Sequence, residues 1–371
     1  MTRGLLKTDP NYSYKEFGAY FLTLNRNKKS VSLDLKSESG LEIFYQLVKS
    51  ADVVLNNFSA GVVKKLKIDF ETLNTINPKI ITCSITGFGE TGPHSSRPAY
   101  DQIVQAYSGG MSITGPDVNT PTRAGIPIGD LGSGLYGVIG ILSALLSREQ
   151  TNKGQHIDMS LLDVQISLLT YMATMQTLSG IDPEPIGNAH FVHVPYNSFT
   201  TKDGFVVIAI ITDAFWEALL NVVNLDSLRD PKFSKSIDRL KNQQFIESEL
   251  NQILSTQTSE YWIKALNKAK VPCGPINTFS EALSDEQINS FEEKSYNEIA
   301  HDVISVFLDD SISSQDLTNI INHSYSTFTN PEITPLRTLD QNQYLLELFH
   351  GPTLAFKDVA MQFIGNLYEY Y

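Results

Sequence analysis

Cysteine is scarce in this chain, and its scarcity narrows the available chemistry. Cys83 and Cys273 are the only two among 371 residues, and they lie far apart without a CxxC pair or a metal-ligand spacing. This usage excludes a disulfide-stapled fold and a cysteine metal site. It predicts a reducing, cytoplasmic setting.

Basic residues and long apolar runs are also few. The 28 Lys and Arg against 41 Asp and Glu give a net charge of −13, whereas a duplex binder needs clustered cations. No uninterrupted apolar run approaches the roughly 18 residues that span a bilayer. The opening residues, MTRGLLKTDPNYS, lack the apolar core of a signal peptide. We therefore expect a protein that binds neither nucleic acid nor a membrane.

What the chain does have is a regular alternation of strand and helix patterns in its first half. Short β-branched runs alternate with amphipathic stretches, which is typical of parallel βαβ units and predicts an α/β fold. An almost wholly apolar helix that follows the last of these strands is expected to be buried on all sides. Helices are predicted over residues 38–51, 62–66, 70–74 and 130–147 and from Leu161, and strands over residues 52–57, 79–86 and 155–159.

Three domains are predicted from the changes in texture along the chain. Residues 1–184 form a large parallel-sheet α/β domain, and residues 185–284 form a smaller α+β domain that contains the strand GFVVIAII and the helix DAFWEALLNVVN. Residues 285–371 form a mostly helical segment, in which two helices lead into the strand YLLELF and a glycine-proline turn.

A carboxylate at the start of the apolar helix is the first candidate for chemistry. Ser160 is a good N-cap residue, and Asp163 stands at the acidic position of a capping box three residues later. Asp163 could therefore simply cap the helix. The same geometry also suits a nucleophile, because the helix dipole keeps such a carboxylate ionised and able to attack a thioester carbonyl.

Glycines nearby permit three interpretations. In SGGMSITG and GDLGSGLYGVIG they could present backbone N–H groups to a developing oxyanion, or they could simply let helices pack closely. Gly132, Gly134 and Gly137 also fit GxGxxG, with Asp158 at about the distance of the acidic residue in a dinucleotide-binding fingerprint. The preceding segment, RAGIPIGD, is a poor strand, so a dinucleotide-binding enzyme is the weakest of the alternatives.

Residues 2 to about 284 closely resemble family III CoA-transferases. This family includes formyl-CoA transferase, carnitine CoA-transferase, succinate–dicarboxylate CoA-transferases and related acyl-CoA racemases. The segments that carry the resemblance are YFLTLNRNKKSVSLDL, ADVVLNNFSAGVVKKL, NPKIITCSITGFGETGP, RPAYDQIVQAYSGGMSITG, GDLGSGLYGVIGILSAL, KGQHIDMSLLDVQ, GNAHFVHVPY and VPCGPINT.

The resemblance implies a nucleophile. Asp163 falls on the catalytic aspartate, which forms a mixed anhydride with the acyl group and then an aspartyl-CoA thioester. In the racemase branch a His–Asp pair does this work, and His156 does not by itself make such a pair. The NRNKKSVSLDL and CSITGFGETGP segments favour the succinate–dicarboxylate branch, and a homodimer is implied.

The resemblance also implies contacts with substrate. Tyr100 and Asp101 match a tyrosine-acid pair next to the active site, although Asp101 could simply cap the helix QIVQAYS. Lysine suits a phosphate, and an aromatic ring can pack on adenine, but without the resemblance these would be solvated charges and a core phenylalanine. The positions that fall on the CoA-binding segments are Lys28 or Lys29, Asn57, Phe58 and Lys65.

A lysine near the C-terminus points to unrelated chemistry. The segment LELFHGPTLAFKDVAMQ and the helices before it, over residues 288–371, resemble the N-terminal region of threonine synthase, which implies that Lys357 is a pyridoxal phosphate lysine. From physics alone Lys357 is an exposed helix residue, because lysines are rarely buried. With no phosphate-binding loop after it, we expect the motif to be vestigial.

Together these features predict a fusion. We expect a family III CoA-transferase that lacks its first strand, glycine turn and C-terminal closing segment, joined to a threonine synthase fragment. Its reaction moves CoA from an acyl-CoA to a small carboxylic acid. The alternatives are a non-catalytic remnant and, third, the dinucleotide-binding enzyme.

Overall fold

A computed structural model describes most of the chain. It covers residues 2–285 except 16, 26 and 27, and then residues 294–306, 312–330, 332–334, 336–340, 343–346, 352, 362–363 and 366–367. Lys357 and the HGPT turn as a whole lie outside the described residues. The chain divides into two compact units, residues 1–203 with 207–273, and residues 204–206 with 274–371. The three predicted domain boundaries stay predictions.

A three-stranded parallel sheet lies at the centre of the first unit. Its strands run in the order Val53–Asn56, Ile81–Thr86 and His156–Ser160, each within two residues of its predicted bounds. The α/β fold with a parallel sheet is therefore confirmed. Hairpins cannot connect parallel strands, so helices cross between them. The helices of this half are Ala19–Leu24, Glu38–Val48, Val62–Lys65, Phe70–Ile76, Asp101–Tyr107, Ile128–Thr151, Leu161–Leu168 and Tyr171–Ser179.

The two faces of this sheet differ in polarity. One face carries Ile81, Cys83 and Ile157 under the helix Ile128–Thr151, which we call the long helix. The opposite face carries Thr82, Ser84, Thr86, His156 and Asp158 in register across two strands. Parallel strands that are covered on both faces are usually apolar throughout. A polar row on a parallel sheet is therefore a feature to explain.

The long helix turns small residues inward. Gly129, Gly132, Ser133, Gly137 and Ala144 are its buried positions. They repeat at three- and four-residue steps and so form one face. Its outward face carries large exposed side chains, namely Leu131, Leu135, Val138, Ile139, Leu142 and Leu146. By length and composition this helix could also cross a membrane, and it is the one such helix among the described residues.

The helix after the last strand differs from its prediction. It ends at Leu168, and a second helix begins at Tyr171 after Thr170, whose φ is +49°. Ile166 is 46% exposed and Leu178 is 84% exposed, so the expectation of burial on all sides was wrong. The physical reason is that only one side of the Asp163 helix (Leu161–Leu168) packs against neighbouring helices, with Leu161, Val164 and Gln165 buried there.

The remainder of the first unit packs helices around buried tryptophans. Trp216 and Trp262 are at most 5% exposed. The buried Arg239 donates to three backbone carbonyls and to Asp213. The helices here are Asp213–Val223, Ser236–Lys241, Gln243–Leu254 and Ser259–Lys268. The strands Tyr196–Thr200, Phe205–Ala209 and Cys273–Pro275 form a second three-stranded sheet of the chain.

The C-terminal unit has a small core of its own. Tyr296–Ser305 and Ser314–Tyr325 are helices, as the sequence predicts. Both begin with a serine whose hydroxyl accepts an N–H of the first turn. The Tyr296 and Tyr325 rings pack edge to face at 5.0 Å. The other described elements of this unit are the helix Phe279–Leu283 and the antiparallel strands Leu336–Asp340 and Gln343–Leu346.

The N-terminal segment of the first unit contains two short antiparallel strands, Ser13–Tyr14 and Phe17–Gly18.

Candidate active site

Asp163 lies exposed in the first turn of its helix. The Asp163 N–H donates to the Ser160 hydroxyl at 3.2 Å, so Ser160 is the N-cap as predicted. The reciprocal half of a capping box is absent, because no described residue donates to the Asp163 carboxylate. The carboxylate is therefore available for chemistry.

Asp101 supports a helix other than its own. Its Oδ1 accepts the N–H groups of Gly129 at 2.8 Å and Asp130 at 3.3 Å, in the first turn of the long helix. Its Oδ2 accepts from Gln105 at 2.6 Å. The N-cap of the helix Asp101–Tyr107 is Tyr100, which is 79% exposed. The suggestion that Asp101 caps its own helix was therefore wrong.

The helices that carry Asp101 and Asp163 pack together near Gly129. A Cβ at Gly129 would lie 2.9 Å from Asp101 Oδ1 and 3.0 Å from Gln165 Nε2, so only glycine fits between them. Partial desolvation and the Asp101 carboxylate raise the pKa of Asp130. The structure thus places Asp101 beside the Asp163 helix and records no contact of Asp163 itself with Tyr100 or Asp101.

The dinucleotide interpretation of the glycines is wrong, and the oxyanion interpretation is wrong for the glycines inside the long helix. For the glycines of SGGMSITG the oxyanion interpretation stays a prediction. Gly132, Gly134 and Gly137 lie inside the long helix, where the N–H groups bond to carbonyls one turn earlier. These N–H groups cannot serve an oxyanion. A dinucleotide fingerprint needs a turn between a strand and a helix, so that alternative also fails. Close packing is the correct interpretation for Gly132, where a Cβ would lie 3.0 Å from Leu168, and is wrong for Gly134, where a Cβ would meet nothing within 4 Å.

A polar network that we did not predict lies on the polar face of the sheet. His156 Nε2 lies 2.6 Å from the Glu90 carboxylate, and His156 Nδ1 lies 2.7 Å from the Thr82 hydroxyl. The Asp158 carboxylate accepts the Glu90 N–H. Thr82, Glu90 and His156 border a cavity of about 220 Å³, which polar side chains such as Asn56 and Lys64 also line. The only signal in the sequence was the polar alternation in ITCSIT and HIDMS.

The predicted CoA-binding residues fall in two places. Lys28 and Lys29 are exposed and line a surface pocket of about 450 Å³ with Arg3 and the stacked pair Phe17 and Phe21. Lys28 Nζ also donates to the Leu24 carbonyl at 2.6 Å. The pocket therefore combines cations with aromatic rings, which are partners for phosphate and for a flat base.

The second group follows the first strand of the parallel sheet. The Asn57 amide donates to the Ile85 carbonyl at 2.6 Å, Phe58 is 42% exposed, and Lys65 is exposed at the end of a short helix. Phe58 is thus a surface residue rather than a core residue. The structure records no contact that joins these residues to Lys28 or Lys29.

The Cys83 thiol is poorly suited to act as a nucleophile. Burial and the Asp158 carboxylate raise the pKa of Cys83, which lowers the thiolate fraction that a nucleophilic cysteine needs. In the part of the chain that the structure describes, no three His, Cys, Asp or Glu side chains are grouped to hold a metal ion.

An exposed carboxylate at a helix start is a group that can attack a thioester carbonyl. The model of CoA-transferase family III matches residues 2–303. The chain therefore belongs to CoA-transferase family III and is a transferase. The match extends beyond residue 284, where the sequence predicted a junction.

Two relatives are named for the dicarboxylates succinate, glutarate and oxalate. Over 277 residues the chain is 38% identical to succinate–glutarate CoA-transferase of Agrobacterium fabrum, covering 73% of this chain and 68% of that protein. Over 267 residues it is 40% identical to acetyl-CoA:oxalate CoA-transferase of Acetobacter aceti, covering 71% and 69%.

Solved structures agree on the fold. A CAIB/BAIF family protein from Brucella suis has a TM-score of 0.70 and 36% identity, and the alignment covers 78% of this chain and 77% of that one. Yeast threonine synthase aligns with 24% of this chain at 40% identity, with a TM-score of 0.22. That score is too low to support the predicted fusion, which stays a prediction.

Proposed function

We propose that the chain transfers CoA from an acyl-CoA to a small dicarboxylic acid with Asp163 as nucleophile. The observation that carries the proposal is the exposed Asp163 carboxylate, which no described donor occupies, in the first turn of a helix whose cap is already filled by Ser160. A capping aspartate would bond back to the N-cap backbone. Asp163 is instead oriented by its helix and open to a substrate.

The reaction needs only carboxylates and one thiol. An Asp163 oxygen attacks the carbonyl carbon of the thioester. The C–S bond then breaks, so CoA leaves as a thiolate and a mixed anhydride of Asp163 and the acyl group remains. The thiolate then attacks the Asp163 carbonyl carbon, which releases the first acid as a carboxylate and leaves aspartyl-CoA. The acceptor carboxylate repeats these two steps in reverse order. No proton, electron or metal is consumed, in keeping with covalent catalysis by a carboxylate.

The pocket of Arg3, Lys28 and Lys29 is our candidate for the nucleotide end of CoA. Three cations beside the stacked Phe17 and Phe21 rings suit phosphates and adenine together. Asn57, Phe58 and Lys65 remain proposed contacts with CoA. Tyr100 and Asp101 remain proposed neighbours of the acyl group. The relatives named above support succinate, glutarate and oxalate as the first acids to test.

Trapping the intermediate tests the proposal directly. The full 371-residue chain is incubated with succinyl-CoA or acetyl-CoA and then with hydroxylamine, and peptides that contain Asp163 are weighed. We expect an aspartyl hydroxamate at Asp163 and transfer of CoA to glutarate or oxalate. Asp163→Asn should abolish both, whereas Asp226→Asn, a matched change at an exposed aspartate, should abolish neither. Turnover by Asp163→Asn would reject Asp163 as the nucleophile, whereas an unmodified Asp163 in a wild-type chain without turnover would favour the non-catalytic alternative.

Further proposals concern the oligomeric state, the junction near residue 285 and the Lys357 motif. We propose a cytoplasmic homodimer, which sedimentation of the purified chain tests. We also propose that residues 288–371 derive from threonine synthase, although the match to CoA-transferase family III includes residues 288–303. Sequencing the DNA across codons 280–290 tests that junction. Absorbance of an aldimine after addition of pyridoxal phosphate would contradict the expectation that the Lys357 motif is vestigial.

A further inference from the structure

The loop from Gly87 to Gly92 follows the central strand of the parallel sheet and needs its glycines. Gly89 and Gly92 have φ values of +86° and +91°, a region that residues with a Cβ rarely occupy. A Cβ at Gly87 would lie 2.5 Å from the Ala99 Cβ. The path of this loop is therefore specified by its backbone, and it passes close to neighbouring chain segments.

This loop touches the helix that carries Asp163. The Gly87 carbonyl accepts the Leu162 N–H at 3.1 Å. Leu162 directly precedes Asp163, and its N–H is one of the four at a helix start that have no partner within the helix. A Cβ at Gly89 would lie 3.8 Å from the Ser160 Cβ. The loop therefore completes the turn of backbone from which the Asp163 side chain projects.

Three residues hold the loop in this place, and we call them the Glu90 clasp: Glu90, His156 and Asp158. The Asp158 carboxylate accepts the Glu90 N–H through both oxygens, at 3.0 and 2.9 Å. The Glu90 carboxylate meets His156 Nε2 at 2.6 Å. Glu90 is thus bound through its backbone and through its side chain, in both cases to the strand that leads into the Asp163 helix.

The clasp is stronger than an ordinary surface pair. The His156 and Glu90 side chains are only 28% and 20% exposed, and the Thr82 hydroxyl fixes the other ring nitrogen of His156 at 2.7 Å. The Phe70 ring lies 6.1 Å from the imidazole. A partly shielded, charge-assisted bond with both ring nitrogens engaged restricts the side chain far more than an exposed ion pair does.

We propose that Glu90 is a positioning residue, which through His156 and Asp158 holds the Gly87–Gly92 loop against the first turn of the Asp163 helix. The proposal rests on Asp163 being the nucleophile. Release of Glu90 would free the Gly87 carbonyl from Leu162 and let the first helical turn fray. The Asp163 carboxylate would then reach the thioester in the attacking geometry less often, although acyl-CoA would bind as before.

The experiment compares Glu90→Ala with Glu90→Gln in the full chain. Glutamine still offers an oxygen to His156 Nε2–H, whereas alanine offers none. For Glu90→Ala we expect faster amide exchange at Leu162 and a kcat about tenfold or more below wild type with an unchanged KM for acyl-CoA, since misplacement by about 1 Å can cost two orders of magnitude. Glu90→Gln should recover most of both. Glu149→Gln, at an exposed glutamate on the long helix, is the control and should match wild type.

Two results would overturn the proposal. Unchanged exchange at Leu162 in Glu90→Ala would show that Glu90 does not hold the loop. Faster exchange with a wild-type kcat would show that the hold does not position the nucleophile. A wild-type chain that yields no trapped acyl-aspartate would reject the proposed function and the positioning role with it. The exchange measurement, which needs no activity, would still show whether the clasp exists.

Discussion

Replacing Asp101 should destabilise the long helix, because Asp101 accepts two N–H groups of its first turn. In Asp101→Ala the buried Gly129 N–H and the Asp130 N–H lose their acceptor, and Gln105 loses a bond of 2.6 Å. Loss of an N-cap acceptor costs about 1 kcal/mol. Loss of the charge at a helix N-terminus adds roughly 0.5–1 kcal/mol. We therefore expect Asp101→Ala to lower the free energy of unfolding by about 2 kcal/mol.

Asp101→Asn separates the cap from the charge. Asparagine keeps the oxygen that accepts from Gly129 and Asp130, but its NH2 group cannot accept from Gln105. We therefore expect Asp101→Asn to lose the Gln105 bond and the charge contribution of roughly 0.5–1 kcal/mol, and to keep a transfer rate close to wild type. Amide exchange at Gly129 and Asp130 localises the effect, and Glu149→Ala at the far end of the same helix is the control. Asp101→Ala should also lower the pKa of Asp130, because it removes one of the two causes that raise it. Unchanged exchange in Asp101→Ala would refute the capping role, and loss of turnover in Asp101→Asn would restore a substrate role.

Three further predictions concern the scaffold. Arg239→Leu should destabilise the first unit by about 2–4 kcal/mol in urea unfolding, because three carbonyls lose their buried donor. The pKa of Asp203 is lowered because the Ser259 N–H donates to its carboxylate, so its contribution to stability is complete above about pH 4 and is lost as pH falls through its folded pKa. Asp203→Asn should therefore flatten stability against pH in that acid range. Gly134→Ala, where a Cβ meets nothing within 4 Å, should stabilise the long helix by about 0.5–1 kcal/mol, whereas Gly129→Ala should destabilise it by displacing the Asp101 carboxylate.

A specific experimental result would contradict each of these three predictions. Arg239→Leu with wild-type stability would mean that water replaces the guanidinium at the three carbonyls. If the free energy of unfolding falls equally steeply with decreasing pH in Asp203→Asn and in wild type, the pH dependence arises from other carboxylates. Equal unfolding midpoints for Gly134→Ala and Gly129→Ala would show that the side chains around Gly129 move aside at little energetic cost.

The sequence predicted the elements well where periodicity was strong. The parallel strands and the helix Glu38–Val48 came within a few residues of their predicted bounds, because alternation and helical spacing are local signals. The long helix was placed from Asp130, yet it begins at Ile128. Its first turn is completed by Asp101, 28 residues before Gly129. A cap that comes from another part of the chain leaves no local signal.

The site was predicted in part for the same reason. Ser160 and Asp163 are neighbours in sequence, so their geometry followed from capping rules. Glu90 and His156 are 66 residues apart, and only the fold brings them together. Burial of the Asp163 helix was overestimated because apolar composition does not reveal which faces have a neighbour. Asp163 itself stays a prediction as nucleophile until the intermediate is trapped.

The inward face of the long helix also limits which codon changes the gene can accept. Any change in the first or second base of a glycine codon adds at least a Cβ. At Gly132 that atom would meet Leu168 at 3.0 Å, and at Gly140 it would meet Ile157 at 3.3 Å. On the outward face Leu135 is 67% exposed and Leu142 is 54% exposed, so base changes that exchange one large apolar residue for another meet no barrier. Accepted codon changes along this helix should therefore accumulate on one side only.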